Sequence, residues 1–285
     1  MKYCKLIKED ENNLILEALR INNSIWNVKS TLKDFKDRAE NGYLVGLMEE
    51  NLLLGTISSI PLSYNKIMNN YYPTWDSATD NGTFLNAEIE GDSLCCVAIT
   101  NRFSKVSIIE KIDPKGIYKE WIKEVNNDNW RKNKILSIFI NKAINKYLDS
   151  NLDPVINFHK RDKSILSGAK IIKIFPDGRV EDKDSLGFNI LMSYPTIDDN
   201  LRKKIDINSI DCSNIKSIGV SLILGIFKEG LKNKNIKYIL PYSRPIKFRY
   251  YLTRALYRYS NHLDFDSNNE EIFFQNIKQI LTKNF

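Results

Sequence analysis

The sequence predicts an α/β fold in which a mixed sheet is flanked by helices. Three observations predict it. Short apolar or alternating runs, bounded by turn residues, recur at residues 3–7, 43–48, 52–60, 94–99, 170–175 and 188–194. Between them, residues 11–20, 31–39 and 133–148 carry apolar side chains at helical spacing. A chain of 285 residues with 42% hydrophobic and 27% charged content also has enough apolar material for a packed core.

Taken in order, residues 3–7 read as a first strand and 11–20 and 31–39 as two short helices. A hairpin follows: strand 43–48, a turn at Glu49-Glu50-Asn51, and a return strand 52–60 that Pro61 ends. Residues 65–92, rich in Asn, Asp, Thr and Gly, read as a long loop excursion before a buried strand at 94–99. Residues 117–125 read as helical, and 133–148 form a helix with a stripe of Ile135, Phe139, Ala143 and Tyr147. Asp153-Pro154 breaks that helix, and 155–158 then reads as a short strand. Strands 170–175 and 188–194 enclose a polar turn at 176–187. A linker at 196–204 leads to a strand at 205–210, a helix at 221–231, a strand at 237–240 and closing helices at 247–259 and 270–282. The expected organisation is a core of 1–195, the linker 196–204, and a segment 205–285 that either completes the core or forms a partial second lobe. An echo between 134–158 and 221–244, each helix then strand then polar exit, favours the second arrangement, but the split of the candidate motifs between the two segments favours the first, which is the arrangement preferred.

Composition excludes several classes. The four cysteines, Cys4, Cys95, Cys96 and Cys212, show no CxxC spacing, and the only histidines are His159 and His262, so neither a disulfide framework nor a metal enzyme is expected. The longest uncharged apolar run, 217–227, is too short to span a bilayer, and the N-terminus lacks the apolar stretch of a secretory signal. A cytoplasmic protein without a membrane partner is expected. The net charge of +7 is uneven: residues 201–285 hold 15 basic and 7 acidic residues, whereas 1–200 hold 27 and 28. Residues 232–258 contain eight basic residues and no acid, which suits an anionic ligand or partner, or simply a solvated basic face.

Five stretches offer chemistry. Lys216-Ser217-Ile218-Gly219-Val220-Ser221 precedes an apolar helix, where small residues let backbone N–H groups and the helix dipole meet an anion; an ordinary capped helix start would look the same. His159, after the strand expected at 155–158, brings an imidazole suited to proton transfer near neutral pH, although a lone histidine is often only a core residue. In Pro241-Tyr242-Ser243-Arg244-Pro245, the Ser243 hydroxyl suits donation to a carbonyl oxygen and Arg244 suits a phosphate or carboxylate; the plain alternative is a proline-bounded turn. Pro176-Asp177-Gly178-Arg179-Val180-Glu181-Asp182 reads as a charged turn. Trp75, within the polar excursion, either plugs the fold or lines a pocket.

Together these motifs resemble the GNAT superfamily of acyl-CoA-dependent acyltransferases, and more closely the GNAT-like domains associated with polyketide synthases. The resemblance rests on Thr74-Trp75 with Thr79 and Gly82, on Phe158-His159 ahead of Gly168-Ala169-Lys170-Ile171, on Pro176, Arg179, Glu181 and Asp182, on Gly187-Phe188 through Tyr194, and on Ser243-Arg244. It covers most of 40–195 and 205–250. It implies a mostly antiparallel, splayed sheet, with the C-terminal segment supplying a displaced helix–strand unit. It also implies transfer of an acyl group from a coenzyme A or carrier-protein thioester to an amine or thiol, with acetyl-CoA or another acyl-CoA as substrate and no metal. Decarboxylation of a malonyl-type thioester is the alternative activity.

Carried across, Lys216, Gly219, Val220 and Ser221 would hold the pyrophosphate and Arg244 would add charge. Trp75, His159, Arg179 and Ser243 would surround the acyl group. An acidic acyl carrier protein is the further partner implied. Two departures stand out: residues 160–167 separate Phe158-His159 from Gly168-Ala169, and the phosphate-loop helix follows Tyr194 instead of preceding Phe158-His159. One explanation is that the C-terminal segment folds back into the missing place; the other is the second lobe. The competing class is a non-catalytic basic binding protein, but 232–258 matches no nucleic-acid motif. A subunit scaffold, with 260–285 as a partner helix, stays open.

Overall fold

The computed structural model describes residues 1–26, 29–103, 117–163 and 165–260. The helix expected at 270–282, and His262, lie outside these residues. The chain has a mixed α/β architecture: a seven-stranded, mostly antiparallel open sheet flanked by helices. Strand β1 (Lys2–Leu6) leads to helices α1 (Asn12–Trp26) and α2 (Leu32–Asn41). A hairpin of β2 (Tyr43–Glu49) and β3 (Leu52–Leu62) follows, then short helices α3 (Tyr64–Met68) and α4 (Trp75–Thr79) and strand β4 (Ser93–Asn101). Helices α5 (Ile117–Asn126), α6 (Lys134–Asp149) and α7 (Pro154–Lys160) precede strands β5 (Lys170–Phe175) and β6 (Asn189–Ser193). Helices α8 (Asp199–Lys204) and α9 (Ile218–Lys232), strand β7 (Tyr238–Ser243) and helix α10 (Phe248–Ser260) complete the described chain.

The strand order is β1-β2-β3-β4-β7-β6-β5. β1, β2, β3 and β4 pair antiparallel in sequence order, and β4 then pairs with β7 in parallel. Tyr194 N–H bonds the Ile239 carbonyl and Ile197 N–H bonds the Lys237 carbonyl, so the chain around β6 runs against β7. The helix–strand unit α9–β7 therefore enters the sheet between β4 and β6.

Local chemistry explains the elements. Thr31 caps α2 through a reciprocal box with Asp34, each bonding the other's backbone N–H. Ile7, Ile15, Ala18, Phe35, Leu44 and Leu53 pack α1 and α2 against one face of the β2–β3 hairpin. Helix α9 covers the opposite face: a Cβ on Gly225 would fall 3.0 Å from Val45, the neighbour of Leu44. Its Leu222, Ile223, Ile226 and Phe227 are buried.

Three sequence expectations are corrected. Residues 155–158 are helical, because Asp153 takes the N-cap and Pro154 the first helical position of α7. No strand forms at 205–210; Asp206 caps a 3-10 turn at Ile207–Ser209 instead. The linker 196–204 contains α8, capped by Asp198.

Among the described residues the chain forms two compact units that interleave along the sequence and do not divide at 196–204. The first comprises 1–103, 159–174 and 190–242 and holds the sheet, apart from Phe175, Asn189 and Ser243, which belong to the second. The second comprises 117–158, 175–189 and 243–260. Its core includes Trp130 stacked on Phe188 and Tyr147 against Phe248, with the Asp153 carboxylate accepting from Tyr147 Oη and from Lys247 N–H. No helix among the described residues is long and apolar enough to cross a membrane.

Candidate functional site

In the first unit, the Trp75 motif builds a rigid turn. Thr74 caps α4 through a box with Ser77. The buried Thr79 hydroxyl donates to the Trp75 carbonyl and accepts from Gly82 N–H. Gly82 has φ +90°, a conformation glycine adopts without strain. The half-buried Trp75 indole N–H then reaches the Val97 carbonyl on β4, 3.3 Å away.

At Val97 β4 keeps β3 as a partner and loses β7. Ser58 faces Ala98 and Ser59 faces Cys96, so Val97 is an extra residue, a β-bulge. β4 and β7 pair only from Ser93 with Tyr238 to Cys96 with Pro241. Past the bulge β4 runs on to Asn101 against β3, and its pairing with β7 ends there. Helix α9 begins beside the far end of β4: a Cβ on Gly55 would lie against the Thr100 carbonyl and 3.1 Å from Ile218 Cγ2.

The start of α9 carries the four residues expected to hold a pyrophosphate. Ser217 is the N-cap, its hydroxyl accepting from Val220 N–H at 3.4 Å. Lys216 is exposed, Gly219 and Val220 are half-buried, and Ser221 is buried. Ser221 turns both its N–H and its hydroxyl onto the Ser217 carbonyl, so it serves the helix's own first turn.

His159 lies on the last turn of α7, not after a strand, and is buried at 3% exposure. Its Nδ1 is 2.9 Å from the Tyr194 hydroxyl, beyond the end of β6. Lys163 is buried beside this pair: its ammonium lies 5.2 Å over the Tyr194 ring and donates to the carbonyls of His159 and Arg161. Burial, with Lys163 adding to it, pushes the His159 pKa down to about 3. Burial lowers Lys163 to about 8, against the pull of Asp162. Burial also raises the Tyr194 phenol well above its ordinary value, with Cys96 of β4 near enough to add to the effect. The residues inserted at 160–167 do not separate the two halves of the motif, because Ala169 N–H donates to the His159 carbonyl at 2.8 Å.

The remaining predicted residues sit in the second unit. Arg244 pairs with the buried Asp182 at 3.1 Å, and burial lowers the Arg244 pKa against the opposing charge of Asp182. Arg179 pairs with Glu181 at 2.7 Å across the turn, which is closed by Arg179 N–H to the Gly187 carbonyl. Ser243 is 3% exposed and its hydroxyl has no hydrogen-bond partner. The neighbouring strand starts with Asn189, 1% exposed, whose amide is likewise without one. A surface cavity of about 440 Å³ lined by Glu124, Asn129, Lys132 and Asn133 contains none of the predicted residues.

Sequence reasoning missed Tyr194 and Lys163. Tyr194 was visible only as a strand end, and its partner is 35 positions away. Lys163 lay in a stretch that looked like an insertion. Among the described residues, no group of three or more His, Cys, Asp or Glu side chains gathers as a metal site. Comparison of the chain with protein families, curated proteins and solved structures returns no match.

Proposed function

We propose that the protein is a GNAT-like acyltransferase that moves an acyl group from a coenzyme A or carrier-protein thioester to an amine or thiol. The observation that carries this reading is the end of β4–β7 pairing at the Val97 bulge, with the N-terminus of α9 beside the far end of β4. A wedge between parallel strands would suit an extended thioester arm, with backbone N–H groups of the strands to meet a carbonyl oxygen that gains charge. The first turn of α9, with the exposed Lys216, suits the pyrophosphate through Gly219 and Val220. Trp75, tied to the bulge, would floor the wedge.

The His159–Tyr194 pair favours a second form of the same chemistry. With Tyr194 as the donor to Nδ1, the hydrogen of the neutral imidazole would sit on Nε2. That form would suit a hydrogen-bond donor to an oxyanion better than a base for an amine proton. This suits transfer to a thiol, or decarboxylation of a malonyl-type thioester, in which the enolate oxygen needs a donor and no base is required. For Ser243, Arg179 and Arg244 the support is the resemblance, joined at Ser243 by a buried hydroxyl that lacks a partner.

The test is mass spectrometry of products after incubation with acetyl-CoA and malonyl-CoA, with and without an acyl carrier protein. Acyl transfer or loss of carbon dioxide is expected, with His159→Ala lowering turnover more than binding. No turnover and no retention on immobilised coenzyme A, together with a salt-dependent gel shift on nucleic acid, would instead make the chain a basic binding protein.

A further inference from the structure

We propose that Cys4 and Cys212 form a redox-modifiable dithiol, which hydrogen peroxide converts into an intramolecular disulfide. The two Sγ atoms are 3.3 Å apart although 208 positions separate the residues. Cys4 lies on β1, the edge strand, and is half-buried; Cys212 is buried in the segment that leads into α9. Both sulfurs also lie against one acceptor, the Ser221 carbonyl in the first turn of α9, at 3.2 and 3.6 Å. The helix is pressed onto the pair, since a Cβ on Gly225 would fall 2.9 Å from Cys4 Sγ. A disulfide bond is about 2.05 Å long, so the sulfurs must close by roughly 1.3 Å.

The other two cysteines provide an internal contrast. Cys95 and Cys96 are consecutive on β4 and point to opposite faces. Both are buried, and burial raises both thiols, Cys96 to about 12, so they stay protonated and inert. At the Cys4–Cys212 pair, hydrogen bonding from Cys4 favours ionisation of Cys212 and holds the Cys4 proton in place.

The chemistry balances with peroxide as the oxidant. The Cys212 thiolate attacks one peroxide oxygen, the O–O bond breaks, and hydroxide leaves as Cys212 becomes a sulfenic acid. The Cys4 sulfur then attacks the Cys212 sulfur and the S–O bond breaks. The Cys4 proton leaves with the departing oxygen as water, the hydroxide takes up the proton that Cys212 had shed, and two thiols and one peroxide have become one disulfide and two waters. The product ties the edge strand to the segment that delivers the α9 N-cap. It stands independently of the acyl-transfer reading.

The experiment treats the reduced full-length chain with hydrogen peroxide, alkylates the remaining thiols, and maps the digest by mass spectrometry. The expected result is a Cys4 peptide joined to a Cys212 peptide, released by a reductant, with Cys95 and Cys96 alkylated. A Cys212→Ser chain must lose the link. The proposal falls if Cys4 and Cys212 are both recovered alkylated. It falls equally if Cys212 goes on to sulfinic acid with no link formed, or if Cys4 is found joined to Cys95 or Cys96.

Discussion

At the residue scale, the buried contact between His159 and Tyr194 has consequences that do not depend on any substrate. In the unfolded chain the imidazole takes up a proton near its ordinary value of 6.5, whereas in the fold burial holds it neutral down to about 3. Between these values the unfolded state binds a proton that the folded state does not, so stability falls as pH drops below 6.5. The slope is about 1.4 kcal/mol per pH unit, or roughly 2 kcal/mol between pH 6.5 and 5. Urea unfolding at the two pH values should show this loss in the wild type and a flatter response in His159→Gln; equal slopes would mean that the imidazole is not the titrating group. Tyr194→Phe removes the partner of a buried nitrogen and should cost about 1–3 kcal/mol. The same variant should change the nitrogen-15 shifts of the His159 ring, which has only one other histidine to be told from. If those shifts are unchanged, Tyr194 does not set the tautomer.

At the scale of elements, Asp153 shows both why α7 forms and why it was hard to read. Its Oδ1 accepts from the N–H groups of Val155 and Ile156, while Oδ2 accepts from the Tyr147 hydroxyl and from Lys247 N–H. One carboxylate thus starts a helix, ends α6's last aromatic in a partner, and anchors the approach to α10. Asp153→Ala should cost roughly 2–4 kcal/mol through the lost cap and the stranded buried partners, and Asp153→Asn, which keeps an acceptor, about half of that. Urea midpoints of the two variants check the order; a harmless Asp153→Ala would remove the carboxylate from the core of the second unit. Asp-Pro reads as a break when it follows a helix, yet the same dipeptide is a helix start, and only the tertiary partners decide. Strands and long helices were legible because apolar period needs no partner. The short helices α3, at the entry to 65–92, and α4, within it, were not, although Ser63 and Thr74 carried their cap signals. Residues 205–210 have strand-like composition, but Asp206 spends its side chain on the Asn208 N–H and turns the chain. In the candidate site, Trp75 and the α9 start were legible as local motifs. The His159–Tyr194 pair was only half legible, because long-range pairing leaves no mark on spacing.

At the scale of the whole molecule, the position of β7 decides what the last third of the chain is for. The strand lies between β4 and β6, so without it β6 and β5 have no link to β4. Helix α9 covers the face of the β2–β3 hairpin opposite α1 and α2, and without it Val45 and its neighbours meet water. A chain ended after residue 195, the core expected ahead of the 196–204 linker, therefore loses both a central strand and a sheet-covering helix. Exposed apolar surface at about 25 cal/mol per Å² cannot be recovered by any other described element. The shortened chain is expected to collapse without fixed packing, with near-ultraviolet circular dichroism lost and amide proton shifts crowded together, while some far-ultraviolet signal persists. Supplying residues 196–285 as a separate chain should restore dispersion, since the missing strand and helix are contiguous in sequence and enter the sheet together. A cooperative, well-dispersed 1–195 fragment would instead mean that the C-terminal segment is a lobe of its own, and the parallel pairing of β4 with β7, on which the wedge depends, would fall with that result.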